Sequence, residues 1–145
     1  MRTWVTISLV GLACWSVVFA KKDETVEQLK ARVDSAKPAE RIELCLRIAE
    51  RQLDAADKLY SSGNVDEARA DVQEVVSYSE QARDAATSSG KKLKNAEIFV
   101  RKMANKLRDM KHTLNFEDQA PVQEAIDHLE RVRTDLLARM FGSNK

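Results

Sequence analysis

The sequence predicts an all-α protein: an elongated antiparallel bundle of about four long helices and a short N-terminal one, following a cleaved signal peptide. Three observations carry this reading. Apolar residues recur at alternating three- and four-residue steps over most of the chain, the spacing of one helix face. Alternating strand-like patterns are absent, and the 145 residues include only four glycines and two prolines. Ala, Glu, Arg, Lys, Leu and Gln, all favourable at helix positions, dominate.

The first twenty residues read differently from the rest. Arg2 is followed by an uncharged run from Trp4 to Ala20, then by Lys21-Lys22. Val18-Phe19-Ala20 supplies the modest side chains a signal peptidase reads, so residues 1–20 are expected to be a secretory signal. The competing reading is an uncleaved N-terminal membrane anchor, since about 17 apolar residues is the short limit for a bilayer span. Cys14 raises a lipoprotein reading, but the leucine before it, Leu12, is one position too close for the usual spacing. The expectation is export, to a bacterial periplasm or the extracellular space.

Residues 21–145 then form a single helical domain. The whole chain carries 24 basic and 23 acidic residues, and loss of Arg2 leaves 23 against 23. A neutral mature chain outside the cell argues against nucleic acid as a partner. Cys45 is the single cysteine of the mature segment, which rules out an internal disulfide, and its apolar neighbours predict a buried thiol.

The helices are expected at about 25–36, 38–62, 65–87, 91–114 and 119–141. Thr25 and Gln28 have the spacing of a capping box for the first, marked by Val26, Leu29 and Val33. Pro38 suits the start of the second, whose stripe is Ile42, Leu46, Ala49, Leu53, Ala56 and Tyr60. Gly63 can end that helix in the left-handed conformation. Asn64 with Glu67 is expected to cap the next helix, and Ala68 to let the two approach closely. Helix three then carries Val72, Val75, Ser79, Ala82 and Ala86, a face of small residues.

Thr87-Ser88-Ser89-Gly90 punctuates the chain, and Ala96, Val100, Met103, Leu107, Met110 and Leu114 mark helix four. Asp118 is expected to cap the last helix, with Pro121 in its first turn. Its stripe is Val122, Ile126, Leu129, Val132, Leu136 and Met140, and Phe141 is expected to fold over its end. Short turns favour antiparallel consecutive helices, and stripes of this length suit coiled-coil-like packing.

Leu59, Gly63, Ala68 and Val72, with Ala56 before them, resemble the turn half of a tetratricopeptide-type helical hairpin over residues 52–76. The resemblance implies a hairpin that docks other proteins. Two features separate the chain from that family. Glu80 stands where the closing proline belongs, and a 34-residue period projects Gly63 onto Glu97, inside a helix. The corner is therefore read as a bundle turn.

Catalytic signals are lacking. His112 and His128 sit in no metal-binding spacing, and HExxH, CxxC and glycine-rich phosphate loops are absent. No enzyme activity, metal or cofactor is expected. Charge is more informative. Residues 91–111 carry eight cations against Glu97 and Asp109, while residues 65–86 carry six acids against Arg69 and Arg83. If helices three and four are antiparallel neighbours, these fields offset each other. Alternatively, Lys91, Lys94, Arg101, Arg108 and Lys111 face solvent and meet an acidic partner or an anionic lipid surface. Phe116, in a polar loop, either closes the bundle end or anchors a partner. The functional expectation is a small exported structural or protein-interaction module. Peripheral contact with the envelope surface is the alternative, and the stripes are wide enough for self-association.

Overall fold

A computed structural model describes residues 24–142, so the signal-peptide reading of residues 1–20 lies outside the described residues. The chain forms five helices: α1 (Val26–Val33), α2 (Pro38–Ser61), α3 (Val65–Ser89), α4 (Leu93–Thr113) and α5 (Phe116–Phe141). No strand occurs among the described residues. The expected stripes of α2, α3, α4 and α5 form one continuous core, with Leu46, Leu53, Val75, Val100, Leu107, Leu129 and Leu136 at 2% exposure or less.

The packing follows two antiparallel hairpins. In the first, α2 and α3 face each other, with the Gln52 amide donating to Glu74. In the second, Arg133 Nε on α5 donates to Glu97 Oε1 on α4 at 2.7 Å, and Lys111 Nζ to Gln123 Oε1 at 2.8 Å. The hairpins then stack in parallel. Arg69 meets Asp118, Arg83 meets Asp135 and Arg139 meets the Thr87 carbonyl, joining α3 to α5 at offsets of 49, 52 and 52 residues. Lys92 with Glu43 and Lys106 with Asp54 join α4 to α2 at offsets of 49 and 52. The second hairpin thus lies beside the first in one consistent register.

Burial on α2 explains how α1 is held. An eight-residue helix is too short to persist alone in water, so α1 depends on docking. Cys45 and Ile48 flank the stripe as expected, and α2 further buries Leu44 and Gln52, widening its buried arc to about 200° at 100° per residue. That second flank receives α1, whose Leu29 is fully buried and which packs on α2 without meeting α4 or α5. Thr25 and Gln28 form the expected capping box, with the Thr25 amide donating to Gln28 Oε1 at 2.9 Å.

The α2–α3 corner departs from expectation in one respect. Gly63 sits at φ +83°, its amide donates to the Tyr60 carbonyl at 3.1 Å, and Asn64 N donates to Leu59 O at 2.9 Å. This is the paired 5→2 and 6→1 pattern of a Schellman ending. However, Asn64 does not cap α3 with its side chain. Its amide donates to the Ser62 hydroxyl at 3.2 Å, so no capping box with Glu67 forms. Ala68 is fully buried at the seam.

Helix α5 also differs. It starts at Phe116, three residues before the expected boundary, with Asn115 at the N-cap. Asp118 is therefore not the cap. It sits within the first turn and pairs with Arg69 at 2.9 Å. Pro121 lies inside the helix rather than in its first turn, so the Glu117 carbonyl lacks its usual intrahelical donor. At the other end Phe141 does not fold over the bundle: it is 75% exposed.

The roles of Gly63 and Asn64 at the α2–α3 corner can be tested directly. Gly63→Ala meets no steric contact but forces a side chain into left-handed geometry. It should lower unfolding free energy in urea by about 1 kcal/mol. Asn64→Ala should cost under about 0.5 kcal/mol, against about 1 kcal/mol for a true side-chain cap.

Candidate interaction surface

The basic helix is not neutralised by α3. No ion pair joins α3 to α4 among the described residues, because α4 packs principally on α5 and touches α2 and α3 less. The expectation of complementary fields between α3 and α4 is therefore corrected. The short link through Gly90 and Lys92, both left-handed at φ +69° and +53°, carries α4 away from α3's acidic flank.

The five basic residues singled out on α4 consequently separate. Arg108 donates to Glu130 and to Asn105, and Lys111 to Gln123. Arg101 stands 3.8 Å from Glu97, itself held by Arg133. Lys91 and Lys94 are exposed and have no acidic partner among the described residues. Phe116 does not close the bundle. It is 88% exposed, beside Lys111, Glu117, Gln119, Ala120 and Gln123 in a shallow depression of about 370 Å³. Glu67 is likewise exposed at the corner.

A polar cluster at the α1–α2–α3 junction was not legible from spacing. Lys30 Nζ donates to Glu74 Oε2 at 2.6 Å, the Gln52 amide donates to the same oxygen, and Lys30 lies 5.6 Å from the Tyr78 ring centre. Burial pushes the Glu74 carboxyl up, but hydrogen bonds from Lys30 and Gln52 outweigh it and leave the pKa below the usual 4.5. The hydrogen bond to Glu74 holds Lys30 above 10.5, against the effect of its burial. Partners separated by 44 residues signal no such pairing locally.

Cys45 is fully buried, and desolvation pushes its thiol up to about 11. A thiol held neutral in this way is a poor nucleophile. His128 Nδ1 lies 3.3 Å from Glu80 across the α3–α5 seam. No group of three metal-ligating side chains occurs among the described residues.

No family model, curated protein or solved structure matches this chain. The surface therefore has to be read from its own chemistry. No helix among the described residues is long and apolar enough to cross a membrane. Two grooves flank the hairpin seams. One of about 320 Å³ between α3 and α5 has Val72, Val76, Pro121 and Ala125 with Arg69, Gln73, Glu124 and His128 around them. The other, about 260 Å³ between α2 and α4, is lined by Leu46 and Phe99 with Glu43, Arg47, Glu50 and Asn95. Neither gathers the basic residues.

The Lys30–Glu74 contact predicts a pH signature. The carboxyl's folded pKa is depressed, so its contribution is present above the ordinary value of 4.5 and is lost as pH falls through the folded value. Both side chains are partly exposed, which limits the effect to about 1 kcal/mol. Urea unfolding should find Glu74→Gln less stable than wild type by about that amount at neutral pH. The difference should vanish in acid well below 4.5.

Proposed function

We propose that this chain is an exported, non-catalytic interaction module of a bacterial periplasm or extracellular space, using the outward surface of the second hairpin. Support for export comes from the N-terminal pattern: Arg2, the uncharged run to Ala20, and the Val18-Phe19-Ala20 site. The helical domain begins directly after it, with the capped start of α1 at Thr25.

One observation carries the interaction reading. The bundle engages Lys92, Lys106, Arg108 and Arg133 in contacts between helices, while Lys91, Lys94 and Lys102 stand exposed without acidic partners among the described residues. Cations that fasten no helix are available to something outside the fold. The second reading, contact with an anionic envelope surface, is favoured by exposed Phe141 on the same hairpin.

Expression of the full chain in a Gram-negative host followed by fractionation tests export. The expected product is periplasmic or secreted, with the mass of residues 21–145. A cytosolic full-length product overturns export, and a full-length membrane-bound product replaces cleavage with anchoring.

A further inference from the structure

Three cations without a partner among the described residues, Lys37, Lys91 and Lys94, gather at one end of the bundle, while Arg51, Lys58, Lys102 and Arg131 are spread over the rest of it. The start of α2, the α3–α4 link and the end of α5 meet there, as shown by Lys92 against Glu43 and Arg139 against the Thr87 carbonyl. Residues 34–43, 84–94 and 138–142 bring six cations, Lys37, Arg41, Lys91, Lys92, Lys94 and Arg139, against the four carboxylates Asp34, Glu40, Glu43 and Asp84. The opposite end, residues 58–69 and 111–120, has three cations against four carboxylates. The molecule is therefore polarised along its length.

The chemistry at the basic end sorts by residue type. Both arginines are occupied by backbone: Arg41 donates to the Val33 and Asp34 carbonyls at 3.1 and 3.0 Å, and Arg139 to Thr87. Lys92 is paired with Glu43. The cations left are lysines, namely Lys37 at the start of α2 and Lys91 and Lys94 around the start of α4, all exposed. A lysine is a compact hydrated point charge suited to a diffuse anionic surface, whereas specific carboxylate recognition favours the arginine fork. Phe141, 75% exposed, adds an aromatic ring at the same end.

We propose that the protein stands end-on against an anionic phospholipid bilayer, with Lys37, Lys91 and Lys94 among the headgroups and Phe141 at the interface. This rests on the surface-contact reading above and fixes its partner and geometry. It differs from a helix lying flat, because the flank of α4 is partly neutralised. Arg101 has Glu97 nearby, Arg108 has Glu130, Lys106 has Asp54, and Asp109 lies on the same outward face. Phe116, the other exposed phenylalanine, is at the end without a cationic excess.

Vesicle co-sedimentation tests the geometry with the protein purified in whatever N-terminal form the cell produces, so its outcome is separate from that of fractionation. Wild type should bind phosphatidylcholine–phosphatidylglycerol vesicles more tightly than phosphatidylcholine alone, and the preference should fall with salt. The triple change Lys37→Gln, Lys91→Gln, Lys94→Gln should weaken that binding about 100-fold, at about 5-fold per lysine. The pair Arg101→Gln, Arg108→Gln should leave it near wild type. The emission of a Phe141→Trp variant should shift blue on binding and that of Phe116→Trp should not. Circular dichroism on every variant checks that helicity is retained. Equal binding to both vesicle types overturns the proposal and leaves a protein partner for the lysines. An equal loss from the arginine pair overturns end-on docking in favour of the α4 flank.

Discussion

Gly90 and Lys92, left-handed at φ +69° and +53°, set the relation between the two hairpins on which the rest of the structure depends. A chain continuing from α3 through an ordinary tight turn would return along α3. Here α4 touches α3 but packs mainly on α5, and α3 lies parallel to α5. Glycine adopts this geometry freely; lysine does so at a cost of about 1 kcal/mol. The surrounding structure sustains it, since Lys92 is also tied to Glu43 and its carbonyl accepts from Ala96 at 2.9 Å. The same link delivers Lys91 and Lys94 to the end of the bundle.

Register between the hairpins is then specified by polar contacts over a small-residue seam. Ala68, Val72, Val75, Ser79, Ala82 and Ala86 give α3 a narrow buried face that allows close approach but buries little apolar area per residue. Ser79 is accommodated there because its hydroxyl donates to the Val75 carbonyl at 2.7 Å. The exposed ion pairs along α3–α5 and α2–α4 are individually weak, at about 0–1 kcal/mol. Their shared offset matters more than their strength, because a one-turn slip would separate all of them together. Glu97 differs in kind. At 6% exposure, its carboxylate requires Arg133, whose removal would leave a buried charge with Arg101 at 3.8 Å as its remaining partner.

The five helices and most of their core positions were legible because each stripe repeats over several turns. Leu53, Val75, Leu107 and Leu129 lie where the spacing puts them. Features that depend on competition between neighbours were not. Asp118 and Pro121 both carry helix-start propensity, yet Asn115 begins α5, and Asp118 instead pairs with Arg69, 49 residues away. Asn64 has cap chemistry, but at φ −84° and ψ 66° it leaves the usual extended cap geometry, and its amide turns to Ser62. Leu44 falls outside a single-face stripe, because α2 packs against α1 as well as α3 and α4. The charge bias of α4 was visible in the sequence, while its division into engaged and free cations required knowing that α5 lies beside it.

That division narrows what the surface can be for. A bundle optimised only for its own stability would gain from distributing like charges, since a local excess destabilises through self-repulsion. Here Lys106, Arg108 and Arg133 in the middle of the second hairpin meet Asp54, Glu130 and Glu97, with Lys102 and Arg131 standing free beside them, whereas Lys37, Lys91 and Lys94 remain unmatched together at one end. Replacing any of these three with a neutral residue would remove repulsion without breaking a described contact. The folded state alone gives no reason to hold them together. A planar anionic surface does, because it lowers the energy of all three at once and requires no arrangement finer than a shared end.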